Sequence, residues 1–259
     1  MNPYIHLFSI HIPSYGLLAL VSLMVLSAYG IIKAKQNDLS IDDFLILESI
    51  ALLGALIGSK LLFVTLNFNK IQLALSSNLI TVNDLLTSGF IFYGGLIGAL
   101  LFLYLFNKKF LKVDLKRYLN IVIPIIPLCH GIARIGCYLS GCCYGIAYDG
   151  IGSVVFPENS LAPSGIHLFP VQLLEAFLLF VLSICLFIFE KRKSNHLLTS
   201  YLVFYGIMRF FLEFLRGDKL EKVYLFSLSE SQIISLMIIL FPVLYLLLGR
   251  KNGKGKSYS

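Results

Sequence analysis

The sequence predicts an all-α integral membrane protein of about seven transmembrane helices, with the N-terminus extracytoplasmic and the C-terminus cytoplasmic. Three observations lead there. Of 259 residues, 58% are hydrophobic and the mean hydropathy is +0.84, whereas soluble domains hold about 45–50% apolar residues. Charged residues make up only 14%, against about 25% in a soluble domain. The apolar residues also fall in blocks. A spanning helix needs about 20 in succession, and seven such segments can be drawn.

The first segment covers 15–33. No Lys or Arg precedes Lys33, so it lacks the basic lead of a signal peptide and is read as a retained span, opened by Tyr15. The second, 44–66, contains Lys60. The third, 89–107, begins GFIFYGGLIG and sets Tyr93, Gly94 and Gly95 at its outer end. Glycine permits close approach of a backbone or ligand, and in membrane helices it also serves tight packing. The fourth, 118–136, holds Pro124 and Pro127 and is expected to kink or unwind, delivering His130 and Arg134. The fifth, 170–190, opens with FPVQLLEAF, which puts Gln172 and Glu175 on one face. The sixth, 197–215, runs into YLVFYGIMRFFLEFLRGD. Tyr205, Arg209, Glu213 and Arg216 are spaced there by four, four and three, one helical stripe. The seventh is 231–249. Residues 1–249 read as a single transmembrane catalytic domain, and 250–259 as a basic cytoplasmic tail.

The loops fix the orientation. Lys33 and Lys35, then Lys108, Lys109, Lys112, Lys116 and Arg117, then Lys191, Arg192 and Lys193, then Arg250, Lys251, Lys254 and Lys256 occupy alternate loops and the tail. The positive-inside rule makes that side cytoplasmic. Topology and anionic headgroups account for the net charge of +7 without a nucleic-acid partner.

Lys60, Arg134, Arg209 and Arg216 break the pattern, lying within or at the ends of spans. Such a cation costs about 2.5–3.5 kcal/mol at a helix centre, so the four ask for an anionic ligand or internal carboxylates. Glu213 alone does not neutralise Arg209, Arg216 and Arg134, and Glu175 is placed to pair with one arginine. A surplus of positive charge is expected, and a lipid phosphate, gripped bidentately by guanidinium groups, is the natural anion. The competing reading is a salt bridge that only joins helices.

Residues 130–145, HGIARIGCYLSGCCYG, carry most of the cysteines; the full set is Cys129, Cys137, Cys142, Cys143 and Cys185. Cys137-x4-Cys142-Cys143 lacks the paired short spacings common at zinc. A disulfide suits an oxidising face, and Cys185, mid-span, suits a small buried hydrophobe. Packing thiols, a structural disulfide, and metal or redox chemistry all remain open. Packing is the working reading, with no metal and no cofactor.

Seven stretches, taken in order, resemble the bacterial prolipoprotein diacylglyceryl transferase family: SYG at 14–16, GSKLLFVTLNF at 58–68, FYGGLIG at 92–98, ARIGCYLSGCCYG at 133–145, GSVVFP at 152–157, FPVQLLE at 169–175 and YGIMRFFLEFLRGD at 205–218. The resemblance implies a multi-pass plasma-membrane enzyme. It would move the diacylglyceryl group of phosphatidylglycerol to the lipobox cysteine of a prolipoprotein signal peptide, releasing glycerol phosphate and needing no cofactor. By position, Arg134, Arg209, Tyr93 and Glu213 would be catalytic. Arg134, Arg216, Tyr15, Gly94, Gly95, Gly136, Tyr205, Gln172 and Glu175 would bind lipid, toward the extracytoplasmic half of the membrane. Tyr93 stands where many members have histidine, Cys137 replaces the signature asparagine, Cys142 a frequent glutamate, Phe169 the motif histidine and Leu174 its tyrosine. The residues also leave open a divergent paralogue with another donor or acceptor, a membrane thiol oxidoreductase using Cys137, Cys142 and Cys143, and a lipid or anion transporter.

Overall fold

The computed structural model describes residues 3–7, 10–77, 81, 85, 89–192, 196–218 and 228–254; Lys193 and Lys256 of the basic pattern lie outside them. A short antiparallel hairpin of β1 (Tyr4–Leu7) and β2 (Ile10–Pro13) leads into α1 (Ser14–Gln36). Then come α2 (Ile41–Leu66), α3 (Phe68–Ser76) and α4 (Phe92–Phe106), which runs on into a π-helical turn at Asn107–Leu111. Next are α5 (Leu115–Val122) and α6 (Ile126–Ser140), followed by the paired β3 (Val154–Val155) and β4 (His167–Leu168). The chain continues through α7 (Val171–Lys191), α8 (Leu197–Leu212), a 3-10 turn at Glu213–Leu215 and α9 (Glu230–Lys254).

Each apolar segment drawn from the sequence is helical over most of its length, the fourth being broken at 123–125. Among the described residues, five helices are long and apolar enough to cross a membrane: α1, α2, α4 with its π turn, α7, and α8 with its 3-10 turn. Counting α5 and α6 as one span bent by 55° gives six. The seventh segment falls on α9, whose described apolar part, Glu230–Leu244, is shorter.

The break between α5 and α6 falls where the prolines place it. Proline lacks the N–H that would continue the ladder, so carbonyls at the break need other donors. Ser183 on α7, itself buried, donates its hydroxyl to the Pro124 carbonyl at 2.6 Å.

The chain divides into two compact units, Gly30–Leu119 and Met1–Tyr29 with Asn120–Ser259. In the first, α2 and α4 meet through Gly54 and Gly58 on one side and Gly94 and Gly98 on the other. A Cβ on Gly54 would lie 2.6 Å from the Gly98 carbonyl, and one on Gly58 or Gly94 would strike the opposite glycine's carbonyl. This is the small-x3-small approach of membrane helices. Lys60 donates its Nζ to the Leu85 carbonyl and lies 4.5 Å from the Phe90 ring centroid, a cation–π contact. In the other unit, Ile123, Leu182 and Leu186 are buried together, with Tyr201 and Tyr205 packed against them. Gly131 on α6 sits against Phe180 and the Ala176 carbonyl of α7.

Candidate functional site

Arg134 lies in the second half of α6, one turn beyond His130. Its Nε donates to His130 Nε2 at 3.3 Å, and its Nη2 stands 3.0 Å from Glu175 Oε1 on α7. The His130 ring packs against Tyr205 of α8, centroids 5.7 Å apart, and lies within electrostatic reach of both Arg134 and Arg209. Arg209 pairs with Glu213 at 2.9 Å, one helical turn on, and donates to Ser231 Oγ of α9 at 3.2 Å. Two helices, α6 and α8, thus bring two guanidinium groups around one imidazole.

Arg216 arrives differently. The helical stripe expected to carry it ends at Leu212, and after the 3-10 turn Arg216 is extended, with φ −84° and ψ 131°. Its backbone pairs antiparallel with Gly145, while the Ile146 N–H donates to the Leu215 carbonyl at 3.0 Å and the Gly217 N–H to that of Tyr144 at 3.0 Å. A Cβ on Gly217 would strike the Gly145 carbonyl, so these two strands need glycine to come this close. The Arg216 fork closes on Asp218, Nε donating to Oδ1 at 2.8 Å and Nη2 to Oδ2.

The expected surplus of positive charge is therefore not found: Arg134, Arg209 and Arg216 each have a carboxylate of their own. The miscount has a physical reason. Counting along one helix credits Glu213 alone, whereas Asp218 folds back from the following loop and Glu175 comes from α7. The hydrogen bonding is nevertheless incomplete. Glu175 Oε1 and Glu213 Oε2 are buried and near their arginines but accept no aligned hydrogen bond, and Arg209 Nη1 is buried without a partner. A guanidinium has five N–H donors, and an orphaned buried one costs about 1–3 kcal/mol.

The wall beside Arg134 is made by the loop after α6. Gly141 and Cys143 both take the left-handed conformation, φ 75° and 57°, and the Cys142 N–H donates back to the Cys137 carbonyl at 3.1 Å. Gln172, wholly buried on α7, donates its Nε2 to the Cys142 carbonyl at 2.9 Å, leaving its Oε1 without a partner. None of the five cysteines is in a disulfide, and the sulfurs of Cys137, Cys142 and Cys143 all lie within 4.8 Å of one another. Hydrogen bonds from Cys137 and Cys142 hold the Cys143 thiol below the ordinary thiol range against its burial, helped by the Arg216 and Arg134 guanidiniums. The same thiol contacts push Cys142 up.

Tyr15, in the first turn of α1, is half exposed and within electrostatic reach of Arg134 and the three thiols. Gly136 is buried where α6 meets α1: a Cβ there would lie 3.2 Å from Tyr15 Cα. Tyr205 is in electrostatic reach of Arg134. Arg134, Arg209, Glu213, Arg216, Tyr15, Gly136, Tyr205, Gln172 and Glu175 accordingly belong to one unit. Tyr93, Gly94 and Gly95 belong to the other, at the start of α4. There Tyr93 is half-buried against Phe92, centroids 5.7 Å apart, and both glycines pack on α2.

Three neighbours escaped the sequence reading. Asp218 had a local signal, two residues after Arg216. Ser231 had none, since it reaches Arg209 from another helix. His130 is named above only as a residue that the fourth span delivers, and its spacing of four from Arg134 is the available clue to their contact.

A family profile described as prolipoprotein diacylglyceryl transferase matches residues 3–248. A phosphatidylglycerol–prolipoprotein diacylglyceryl transferase of Clostridium tetani is 33% identical over 94% of this chain and 96% of its own length. Proteins of that name from Clostridium perfringens, numbered 2, and from Clostridioides difficile are each 28% identical, over 96% and 95% of this chain and 95% and 94% of their own lengths. The chain belongs to the prolipoprotein diacylglyceryl transferase family.

Proposed function

We propose that the chain moves the diacylglyceryl group of phosphatidylglycerol onto the lipobox cysteine thiol of a prolipoprotein, releasing glycerol phosphate and leaving a thioether. The family and the names of the relatives support the reaction. The observation that carries the site is the gathering of Arg134 and Arg209 around His130, with Arg209 Nη1 buried and unbonded. An arriving phosphate gives these under-used donors acceptors, and the same donors stabilise the charge on the leaving phosphate as the C–O bond breaks. Preorganised electrostatics of this kind is usually the largest catalytic term.

Glu213 orients Arg209, and Glu175 holds Arg134 until lipid arrives. Arg216 steers the anionic headgroup, while Tyr15, Gly136, Tyr205 and Gln172 shape the lipid site. The chain is a multi-pass membrane protein of a bacterial family. In our reading, residues 1–249 work as one membrane domain, α9 supplies the seventh span, the site opens to the extracytoplasmic half, and 250–259 is a cytoplasmic tail.

The direct test is mass spectrometry of a lipobox peptide incubated with the protein and phosphatidylglycerol. The peptide should gain one diacylglyceryl mass on cysteine, and Arg134→Ala should lower the rate by about 100-fold or more. An unmodified peptide, or normal turnover by the variant, contradicts the reading.

A further inference from the structure

Three thiols beside Arg134 have no part in the transfer proposed above. Cys137 lies in the last turn of α6, and Cys142 and Cys143 follow its glycine cap. Cys143 sits in the left-handed region at φ 57°, a conformation that persists in a residue with a side chain where the surroundings impose it. Gln172 of α7 holds the turn through the Cys142 carbonyl. As a result three sulfurs stand within 4.8 Å of one another, and none is in a disulfide.

The three differ in what reaches them. Cys137 is buried, whereas Cys142 and Cys143 are partly exposed. Thiolates rather than thiols attack electrophiles, and Cys143 has the company that favours a thiolate. The other two thiols donate hydrogen bonds to it, and the Arg216 and Arg134 guanidiniums lie in electrostatic reach. Cys142, among the same thiols, is pushed the other way. Cys143 is therefore the nucleophile of the cluster, and chain geometry selects its partner. Consecutive Cα atoms lie about 3.8 Å apart across a trans peptide, whereas disulfides span about 4.4–6.8 Å between Cα atoms. Cys142 is thus too near along the chain to bridge Cys143 without distorting their peptide. Cys137, back in the helix, is free of that limit. An S–S bond is about 2.0 Å long, so closing one from within 4.8 Å asks less than roughly 3 Å of the two side chains and the turn together.

We infer that Cys143 is a modification site for hydrogen peroxide, that Cys137 resolves the product into a Cys137–Cys143 disulfide, and that this disulfide slows transfer at the neighbouring arginines. The last clause rests on the transfer reading given above; the first two do not. In the first step the Cys143 thiolate attacks one peroxide oxygen. The S–O bond forms as the O–O bond breaks, and hydroxide leaves with the bonding pair and takes a proton from solvent. Sulfur is oxidised by two electrons to a sulfenic acid and the peroxide is reduced to water. In the second, the Cys137 thiol attacks the Cys143 sulfur. The S–S bond forms, the S–O bond breaks, and the departing hydroxide takes the Cys137 proton as a second water. An exposed thiolate poised beside a resolving thiol is the arrangement from which sulfenic acids condense to disulfides. The consequence for the site follows from what adjoins Cys143. The Tyr144 carbonyl accepts from the Gly217 N–H at 3.0 Å, and Gly145 pairs with Arg216. Drawing Cys143 toward α6 pulls on the segment that places Arg216, and it removes a thiolate charge beside two guanidiniums.

The test uses the full chain, reduced, in detergent micelles and exposed to hydrogen peroxide, with each cysteine followed by peptide mass mapping. Cys137 and Cys143 should become linked while Cys142 and Cys185 stay open to alkylation. Cys137→Ser should stop at a sulfenic acid on Cys143, trapped by dimedone. Cys143→Ser should give neither product, and Cys142→Ser should still give the disulfide. If peroxide leaves Cys143 a thiol, or sulfenic acid collects on Cys137 or Cys142 instead, the inference is overturned. For the last clause, the peroxide is removed with catalase and transfer to a lipobox peptide is measured. The oxidised chain should be slower by about tenfold to a hundredfold, the scale of a small misplacement of a binding group, and dithiothreitol should restore the rate. Cys143→Ser should lose nothing on the same treatment relative to its own untreated rate. If the disulfide forms and transfer is unchanged, the effect on transfer is overturned. If the reduced chain forms no thioether at all, the transfer reading fails while the modification site stands.

Discussion

Arg209 shows most clearly how the site's arginines differ from ordinary buried ion pairs. Its Nη2 serves both Glu213 and Ser231, and its Nη1 is buried with nothing to bond. Lysine would keep the charge but replace the planar fork with a single ammonium. Arg209→Lys should therefore lower transfer by about 10–100-fold, close to the 1.5–3 kcal/mol of a charged hydrogen bond, with little change in thermal unfolding. Wild-type rates in the peptide assay would show that a point charge suffices. The Arg134–Glu175 pair, with side chains only 14% and 3% exposed, makes the opposite prediction. Removing one partner of a buried pair costs about 3–5 kcal/mol because the other charge is stranded. Glu175→Gln should lower the melting temperature in detergent, and added phosphatidylglycerol should raise it more than in wild type, since a ligand that binds the native state stabilises it. Equal lipid shifts in both proteins would contradict a phosphate at Arg134.

At the scale of elements, the broken span and the turn after α6 position the site. Ser183→Ala leaves the Pro124 carbonyl at the break without its donor. A loss of about 1–3 kcal/mol is expected, read as a lower unfolding temperature, and Ser183→Thr, which keeps the hydroxyl, should recover it. The break itself was legible, because Pro124 and Pro127 forbid a regular ladder wherever they fall. So was the Arg209–Glu213 pair, because spacing by four on a helix is a contact. The position of Arg216 was not legible. Whether the helix persists for one more turn depends on the pairing of Gly145 with Arg216 and of Tyr144 with Gly217, and periodicity within one segment carries no trace of a loop 70 residues earlier in the chain. The thiol cluster was hidden for a related reason: a cysteine with positive φ has no signature in its neighbours.

For the whole molecule, the apolar blocks specified nearly every helix because lipid demands that each span satisfy its own backbone. The glycine contacts between α2 and α4 were legible only as a pattern, since packing and ligand approach both call for glycine. The charge asymmetry of the loops leads to a further prediction. In intact cells, a membrane-impermeant thiol reagent should label Asp149→Cys, in the loop after α6, and should reach Lys109→Cys, in the π turn after α4, only after permeabilisation. Because the native thiols could also react, the labelled peptide should be identified by mass. The reverse pattern would invert the orientation proposed for the site.

The two outer ion pairs differ in what they join. Arg216 and Asp218 belong to the same short loop, so their rupture frees nothing beyond that loop. Arg134 and Glu175 fasten α6 to α7. On the proposed reaction, an anion that claims the Arg134 guanidinium takes it from Glu175 and so unlatches those two helices at that point. Binding of the headgroup and loosening of that join would then be one event, reversed when the glycerol phosphate departs.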